Sequence, residues 1–179
     1  MDDMLDDATR DAAERLKARV QRLFAGSLHI RHVDAGSCNA CESEIKLLTS
    51  PYYDIHRLGL FITTSPRHAD LLLVTGSMTR AMEDPLRKTY EAMPDPRLVV
   101  AVGACACSGG IFGPSAFSRG GVGEVLPIDV FIPGCPPSPL TLIHGLLLAL
   151  GRVEQRMHER TAHVRMSRPL YLLTPKELS

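Results

Sequence analysis

The chain has 179 residues, enough to bury the core of one domain. Hydrophobic residues make up 45% and charged residues 22%, too apolar a balance for a disordered chain. Twenty basic residues against twenty acidic ones leave no net field to gather nucleic acid or an anionic membrane, and a neutral, apolar chain is better suited to life inside a larger complex.

In chain order, residues 2 to about 25 place apolar side chains at Leu5, Ala8, Ala12, Leu16, Val20 and Leu23, the spacing of one amphipathic helix. Acidic residues crowd its start and basic ones its end, as the helix dipole prefers. The same opening has no basic region followed by a continuous apolar stretch and a small-residue cleavage site, so no secretory leader is expected and the protein is read as cytoplasmic. After Gly26 come five short strand signals, "SLHIRHVDAG", "DIHRLGLFIT", "ADLLLVTGS", "RLVVAVGAC" and "IDVFIPGCP". Helices are expected at 39–48, at 84–93 with Asp84 as cap and Pro85 in the first turn, and at 137–150. The apolar window from Pro139 to Gly151 is too short to cross a bilayer and reads as a buried helix, while "PLYLLTPKELS" carries too few signals to place. Strands that alternate with helices, several of them apolar on both faces, predict an α/β fold with an open, doubly wound parallel sheet.

Three cysteines fall just past the ends of predicted strands: Cys38 after the first, Cys105 after the fourth and Cys135 after the fifth. In such sheets that edge is where ligands bind, so thiols distant in sequence would meet on one rim. Cys41, two residues beyond Cys38 at a loop-to-helix start, adds a fourth sulfur. Glycine and proline surround these thiols in "VGACACSGG" and "IPGCPP", giving tight turns, free backbone amides and little bulk to obstruct a large inorganic body. From spacing alone three readings stay open: a 4Fe-4S cluster, structural zinc, and thiol catalysis or inert buried thiols. Zinc sites usually join two close pairs of ligands, whereas here one close pair joins two distant single cysteines. Cys107 is read as a small buried side chain pointing away from Cys105.

Four motifs, "GSCNACESEI", "TGSMT", "VAVGACACSGGIF" and "FIPGCPPSP", in this order resemble the small subunit of nickel-iron hydrogenases, in particular the membrane-associated, energy-converting and formate-hydrogenlyase-like class, and the homologous B subunit of NADH:quinone oxidoreductase (complex I). The likeness runs from about Leu28 to Gly151. It implies a flavodoxin-like domain with helices on both faces of the sheet, in which Cys38, Cys41, Cys105 and Cys135 each ligate one iron of a single 4Fe-4S cluster. The chain then divides into an N-terminal helical extension at 1–26 that lies outside these motifs, the iron-sulfur domain at 27–155 and a C-terminal extension at 156–179 expected to contact a partner. Complex I subunits carry two adjacent cysteines at the first motif; here Asn39 and Ala40 separate them, the hydrogenase pattern. Uptake-type small subunits carry a twin-arginine export signal and further clusters, and neither feature is seen here.

The implied protein is an electron-transfer subunit of an oxidoreductase, with no catalytic site of its own, held peripherally on the cytoplasmic face of the cell membrane. Its implied partners are a nickel-iron large subunit, a ferredoxin-like iron-sulfur subunit and membrane subunits. Glu44 aligns with a carboxylate of the family and belongs, on that likeness, to a proton path; an exposed helix-start carboxylate is the plainer reading. The loop Thr75, Gly76 and Ser77 matches one that lies near the cluster in the family, or is a plain strand-end turn. The seven histidines show no metal-ligand spacing and read as lone core or surface residues. No G-x-S-x-G or G-x-x-x-x-G-K occurs, and the glycine-rich "GGIFGPS" and "SRGGVGE" read as a loop shaped around the cluster or an interface. A complex I-like quinone-reducing subunit and a zinc-stabilised interaction module are the alternatives.

Overall fold

A computed structural model describes the backbone of residues 7–24 and 26–167, and the side chains of those residues as far as Val153 together with Gln155. Five strands, β1 (Leu28–Asp34), β2 (Leu60–Ile62), β3 (Leu71–Thr75), β4 (Leu98–Val102) and β5 (Val130–Ile132), form one parallel sheet in the order β2-β1-β3-β4-β5. Every residue of β3 and of β4 is buried, as central strands covered on both faces require. The strand order reverses beside β1, between β1 and β3, which makes the carboxyl edge there a natural crevice. This is the open α/β architecture expected from the alternating pattern.

Alternate residues of each strand feed two cores. On one face Leu28, Ile30, Leu71, Leu73, Val100 and Ile132 pack beneath α1 (Asp7–Phe24), α2 (Ala40–Leu47) and α5 (Pro139–Ser167). On the other face Val33, Leu72, Val74, Val99 and Ala101 meet Met78, Leu86 and Met93 around α3 (Arg80–Glu91), with Ala106 of α4 (Gly103–Ser108) completing that layer. The apolar face of α1, with Ala12, Ala13, Leu16 and Val20, is buried in the core it shares with α5 of the same chain. Arg19 Nη1 also donates to the Leu147 carbonyl at 3.0 Å. Among the described residues no helix is long and apolar enough to cross a membrane.

Four local features differ from the sequence expectation. The run "DIHRLGLFIT" is only half strand: Ile55–Leu58 is a 3-10 turn whose buried ends Ile55 and Leu58 lie three residues apart, and the strand begins at Leu60. The third helix begins at Arg80, not Asp84, so Pro85 lies inside it. Its start is fixed by tertiary bonds, because Thr79 donates both its backbone N–H (3.0 Å) and its hydroxyl (2.9 Å) to the Ala35 carbonyl. The helix α4 was not foreseen, since six residues of Gly, Ala, Cys and Ser carry no amphipathic period. The segment expected to be buried at 139–150 is buried on one side only, with Leu142, Ile143, Leu146, Ala149 and Leu150 inside and Leu148 exposed. The final segment "PLYLLTPKELS" lies outside the described residues, as does much of the 156–179 extension.

Leu16 is fully buried between α1 and the sheet-side core. Leu16→Ala is expected to lower unfolding free energy by about 2–5 kcal/mol through lost burial and a residual cavity, read as a fall in denaturation midpoint at unchanged slope.

Candidate functional site: a four-thiol cleft at the carboxyl edge of the sheet

The loop leaving β1 is held by its own strand end. Asp34 Oδ1 accepts from the backbone N–H of Gly36 and of Ser37, both at 2.8 Å, and Ser37 Oγ accepts from Asn39 N–H at 3.1 Å. Asn39 takes a left-handed conformation (φ 69°), which asparagine tolerates better than most residues, and turns the chain into α2 between Cys38 and Cys41. This loop is tied to the one after β3: Ala35 N–H donates to the Thr75 carbonyl (2.8 Å) and Ser77 N–H to the Gly36 carbonyl (3.2 Å). The approach is close enough that a Cβ on Gly76 (φ +82°) would stand 2.5 Å from the Gly36 carbonyl carbon and the Ser37 nitrogen. Across the site, Ala104 N–H donates to the Gly134 carbonyl at 2.7 Å and joins the loops after β4 and β5.

These tied loops bring Cys38, Cys41, Cys105 and Cys135 to line one cleft together with Gly76, Ala104 and Gly134. Cys38 and Cys135 stand exposed at its mouth; Cys41 and Cys105 are half-buried. Burial pushes the Cys41 thiol up to about 11, with the Glu42 carboxylate and then the Cys105, Cys38 and Cys135 thiols acting in the same direction. Cys105 is raised by burial first and then by Cys135 and Cys38. The four sulfurs thus stand within electrostatic reach of one another. Yet no group of three or more Cys, His, Asp or Glu among the described residues is arranged to hold a single metal ion.

Glycine makes the room. A Cβ on Gly103 (φ +88°) would stand 2.6 Å from Cys41 Sγ, and one on Gly110 would stand 3.0 Å from Cys105 Sγ. Cys107 lies apart from this set. It shares α4 with Cys105, and two residues of helix carry its side chain to another face, where Sγ packs against the second core and lies 3.7 Å from the Ala101 carbonyl oxygen.

The two carboxylates at the start of α2 differ. Glu44 is half-buried on α2, and among the described residues its carboxylate has no hydrogen bond or ion pair. Its neighbour Glu42, not singled out from the sequence, is 7% exposed. The Thr75 hydroxyl donates to Glu42 Oε1. Because that uses the only hydroxyl hydrogen, Thr75 Oγ1 must accept from His32 Nε2, 2.9 Å away. His32 Nε2 also lies 3.8 Å from Glu42 Oε1. Burial holds His32 below the ordinary imidazole value, with Glu42 and Asp34 pulling it partly back. Of the seven histidines, then, His32 is a hydrogen-bonded core residue beside the cleft. The signal for this group was weak in the sequence, because its three members lie on β1, α2 and β3 and meet only through strand register.

The glycine-rich loop at 109–121 borders Cys105 and exposes Ile111 (94%), Phe117 (83%) and Phe112 (57%). Its far side is fastened to the start of α3 by Arg119 N–H to the Met78 carbonyl (2.7 Å), Arg80 N–H to the Phe117 carbonyl (2.9 Å) and an Arg119–Glu83 ion pair (2.8 Å). Arg119, with Arg87, keeps the Glu83 carboxyl below its usual range.

Residues 38–149, which contain all four thiols of the cleft, match the family model described as NADH ubiquinone oxidoreductase, 20 kDa subunit. The chain belongs to that family. Within it, the chain is 43% identical over 145 residues to formate hydrogenlyase subunit 7 of Escherichia coli, covering 81% of this chain and 57% of that one. It is 40% identical over 150 residues to a membrane-bound hydrogenase subunit of Pyrococcus furiosus, covering 84% and 90%. Among solved structures, a chain of an archaeal membrane-bound sulfane sulfur reductase, a respiratory membrane complex, superposes with a TM-score of 0.64 at 31% identity, covering 80% of this chain and 76% of that one. The resemblance drawn from the four motifs therefore stands, and the chain is a member of a family of oxidoreductase-complex subunits. The match spans little more than half the length of the Escherichia coli relative.

The burial pattern sets an order of thiol reactivity. In metal-free chain, mass-resolved alkylation is expected to modify exposed Cys38 and Cys135 first. Because the Cys41 thiol is raised to about 11, its rate is expected to keep climbing as pH rises toward that value. Equal labelling of Cys38 and Cys41 at pH 8 would contradict the geometry.

Proposed function

We propose that this chain is an electron-transfer subunit carrying one 4Fe-4S cluster, held by Cys38, Cys41, Cys105 and Cys135, next to the nickel-iron site of a large subunit in a membrane-associated hydrogenase complex. The observation that carries the reading is the convergence of four thiols, from three separate strand-end loops and the start of α2, on one cleft. The donor set is all sulfur, and the positions that would crowd it are glycines, Gly103 against Cys41 and Gly110 against Cys105. Thiolate ligands and a pocket without bulk suit an iron-sulfur cube, which supplies one-electron transfer when bound.

The chain's own residues then have definite work. Cys38 and Cys135 would hold the cluster from the exposed side of the cleft and Cys41 and Cys105 from its half-buried side. The exposed Ile111, Phe112 and Phe117 beside the cleft mark the side on which the large subunit seats, since exposed large apolar side chains favour association. A ferredoxin-like subunit and membrane subunits complete the assembly, with this chain on the cytoplasmic face. Similarity to a formate hydrogenlyase subunit and a membrane-bound hydrogenase subunit supports this placement, and the two-residue spacer between Cys38 and Cys41 favours the hydrogenase branch over the quinone-reducing one. Glu44 carries protons between this chain and the large subunit.

Anaerobically purified protein is expected to be brown, with about four irons and four labile sulfides per chain. After dithionite reduction, Cys135→Ser should abolish or convert the low-temperature EPR signal and Cys107→Ser should leave it. Colourless protein holding one zinc, or the reverse pattern of variants, would overturn the reading. For Glu44→Gln in the assembled complex, an unchanged EPR signal with at least about a hundredfold lower hydrogen turnover is expected, the loss that removal of a proton-transfer group commonly produces.

A further inference from the structure

We propose that Glu42 is a positioning residue: anchored to Thr75 and flanked by His32, it fixes the first turn of α2 and with it the direction in which Cys38 and Cys41 face the cleft. This deepens the iron-sulfur reading and, for its redox consequence, rests on it.

A carboxylate is seldom this buried without purpose. Glu42 follows Cys41 directly and is 7% exposed. The hydroxyl it accepts from belongs to Thr75, the last residue of the central strand β3 and itself fully buried. Thr75 is in turn fixed at both ends, its carbonyl accepting from Ala35 N–H and its Oγ1 from His32 Nε2. The anchor therefore runs from β1 through β3 to α2. It crosses the same pair of strands whose loops shape the cleft, so the cysteine-bearing turn is bonded to the rigid centre of the sheet.

No side-chain cap assists. Asn39, the residue before α2, makes no side-chain hydrogen bond to the helix end. Orientation of that turn rests on the Asp34 and Ser37 side-chain bonds to its loop, on the Ser43 hydroxyl, which donates to the Asn39 carbonyl at 2.9 Å, and on Glu42, the one of these that reaches the central strand β3. The second carboxylate oxygen, Oε2, is buried and has no hydrogen-bond partner among the described residues. A stability role alone is served poorly by a half-satisfied buried carboxylate, because an apolar side chain there would avoid the desolvation cost. What the carboxylate adds is a directional attachment and a fixed polar group beside the sulfurs. Glu44, two residues on and without such contacts, is the natural comparison.

The test has two arms on the full chain. In the metal-free protein, hydrogen exchange of the amides of α2 reports the anchor directly. Thr75→Val is expected to speed it about tenfold, the scale of one lost hydrogen bond to a charged group, with Thr75→Ser restoring protection and Glu44→Gln leaving it unchanged. In the anaerobically purified protein, Glu42→Gln keeps the shape and the acceptor for Thr75 but removes charge. It is expected to retain full iron and shift the midpoint potential upward, a change that packing alone would not produce. Wild-type exchange in Thr75→Val overturns the positioning role whether or not iron is bound. A wild-type potential and EPR line shape in iron-replete Glu42→Gln overturns its redox consequence. Absence of iron from the wild-type chain defeats the proposed function, and the exchange arm still decides the anchor. Should Thr75→Val fail to fold, the α2 exchange rate of Glu42→Met, which also removes the hydrogen bond to Thr75, carries the same decision.

Discussion

Parallel pairing sends the carboxyl ends of β1, β3, β4 and β5 to a single edge, and the loops leaving that edge are then bonded to one another. Each thiol of the cleft depends on this arrangement. Remove the pairing of β1 with β3 and Cys38 has no fixed relation to Gly76; remove that of β4 with β5 and the Ala104 to Gly134 bond cannot form. The chemistry of sulfur is thus set by strand register, several residues away from any sulfur.

The same register explains why the neighbourhood tolerates so little substitution. Glycine at 76 lets two backbones meet, and glycine at 103 leaves space for Cys41 Sγ. Small residues in these loops are consequences of close approach, and the cleft is defined as much by absent side chains as by present ones. The anchor through Thr75 and Glu42 belongs to the same logic, since it ties the start of α2 to a strand buried along its whole length.

Much of this was legible in the residues. Alternating apolar runs identified the strands, and their endings at Cys38, Cys105 and Cys135 located the edge, because period and turn chemistry are local properties. What escaped was non-local or unusually short. Helix α4 has too few residues to show a period, and its helical turn, not strand alternation, is what carries Cys107 away from Cys105. Pro85 looked like a helix start because the bonds from Thr79 to Ala35 that begin the helix earlier come from another loop. Glu42 was passed over in favour of Glu44 because nothing in "CESEI" says which carboxylate faces a threonine thirty-odd positions on.

The cleft is open on the side of Cys38 and Cys135 while Cys41 and Cys105 lie deeper. For the cluster proposed above, such a cleft would offer entry through a doorway on its exposed side. The same doorway would admit oxygen and chelators to that cluster wherever no partner covers Cys38 and Cys135.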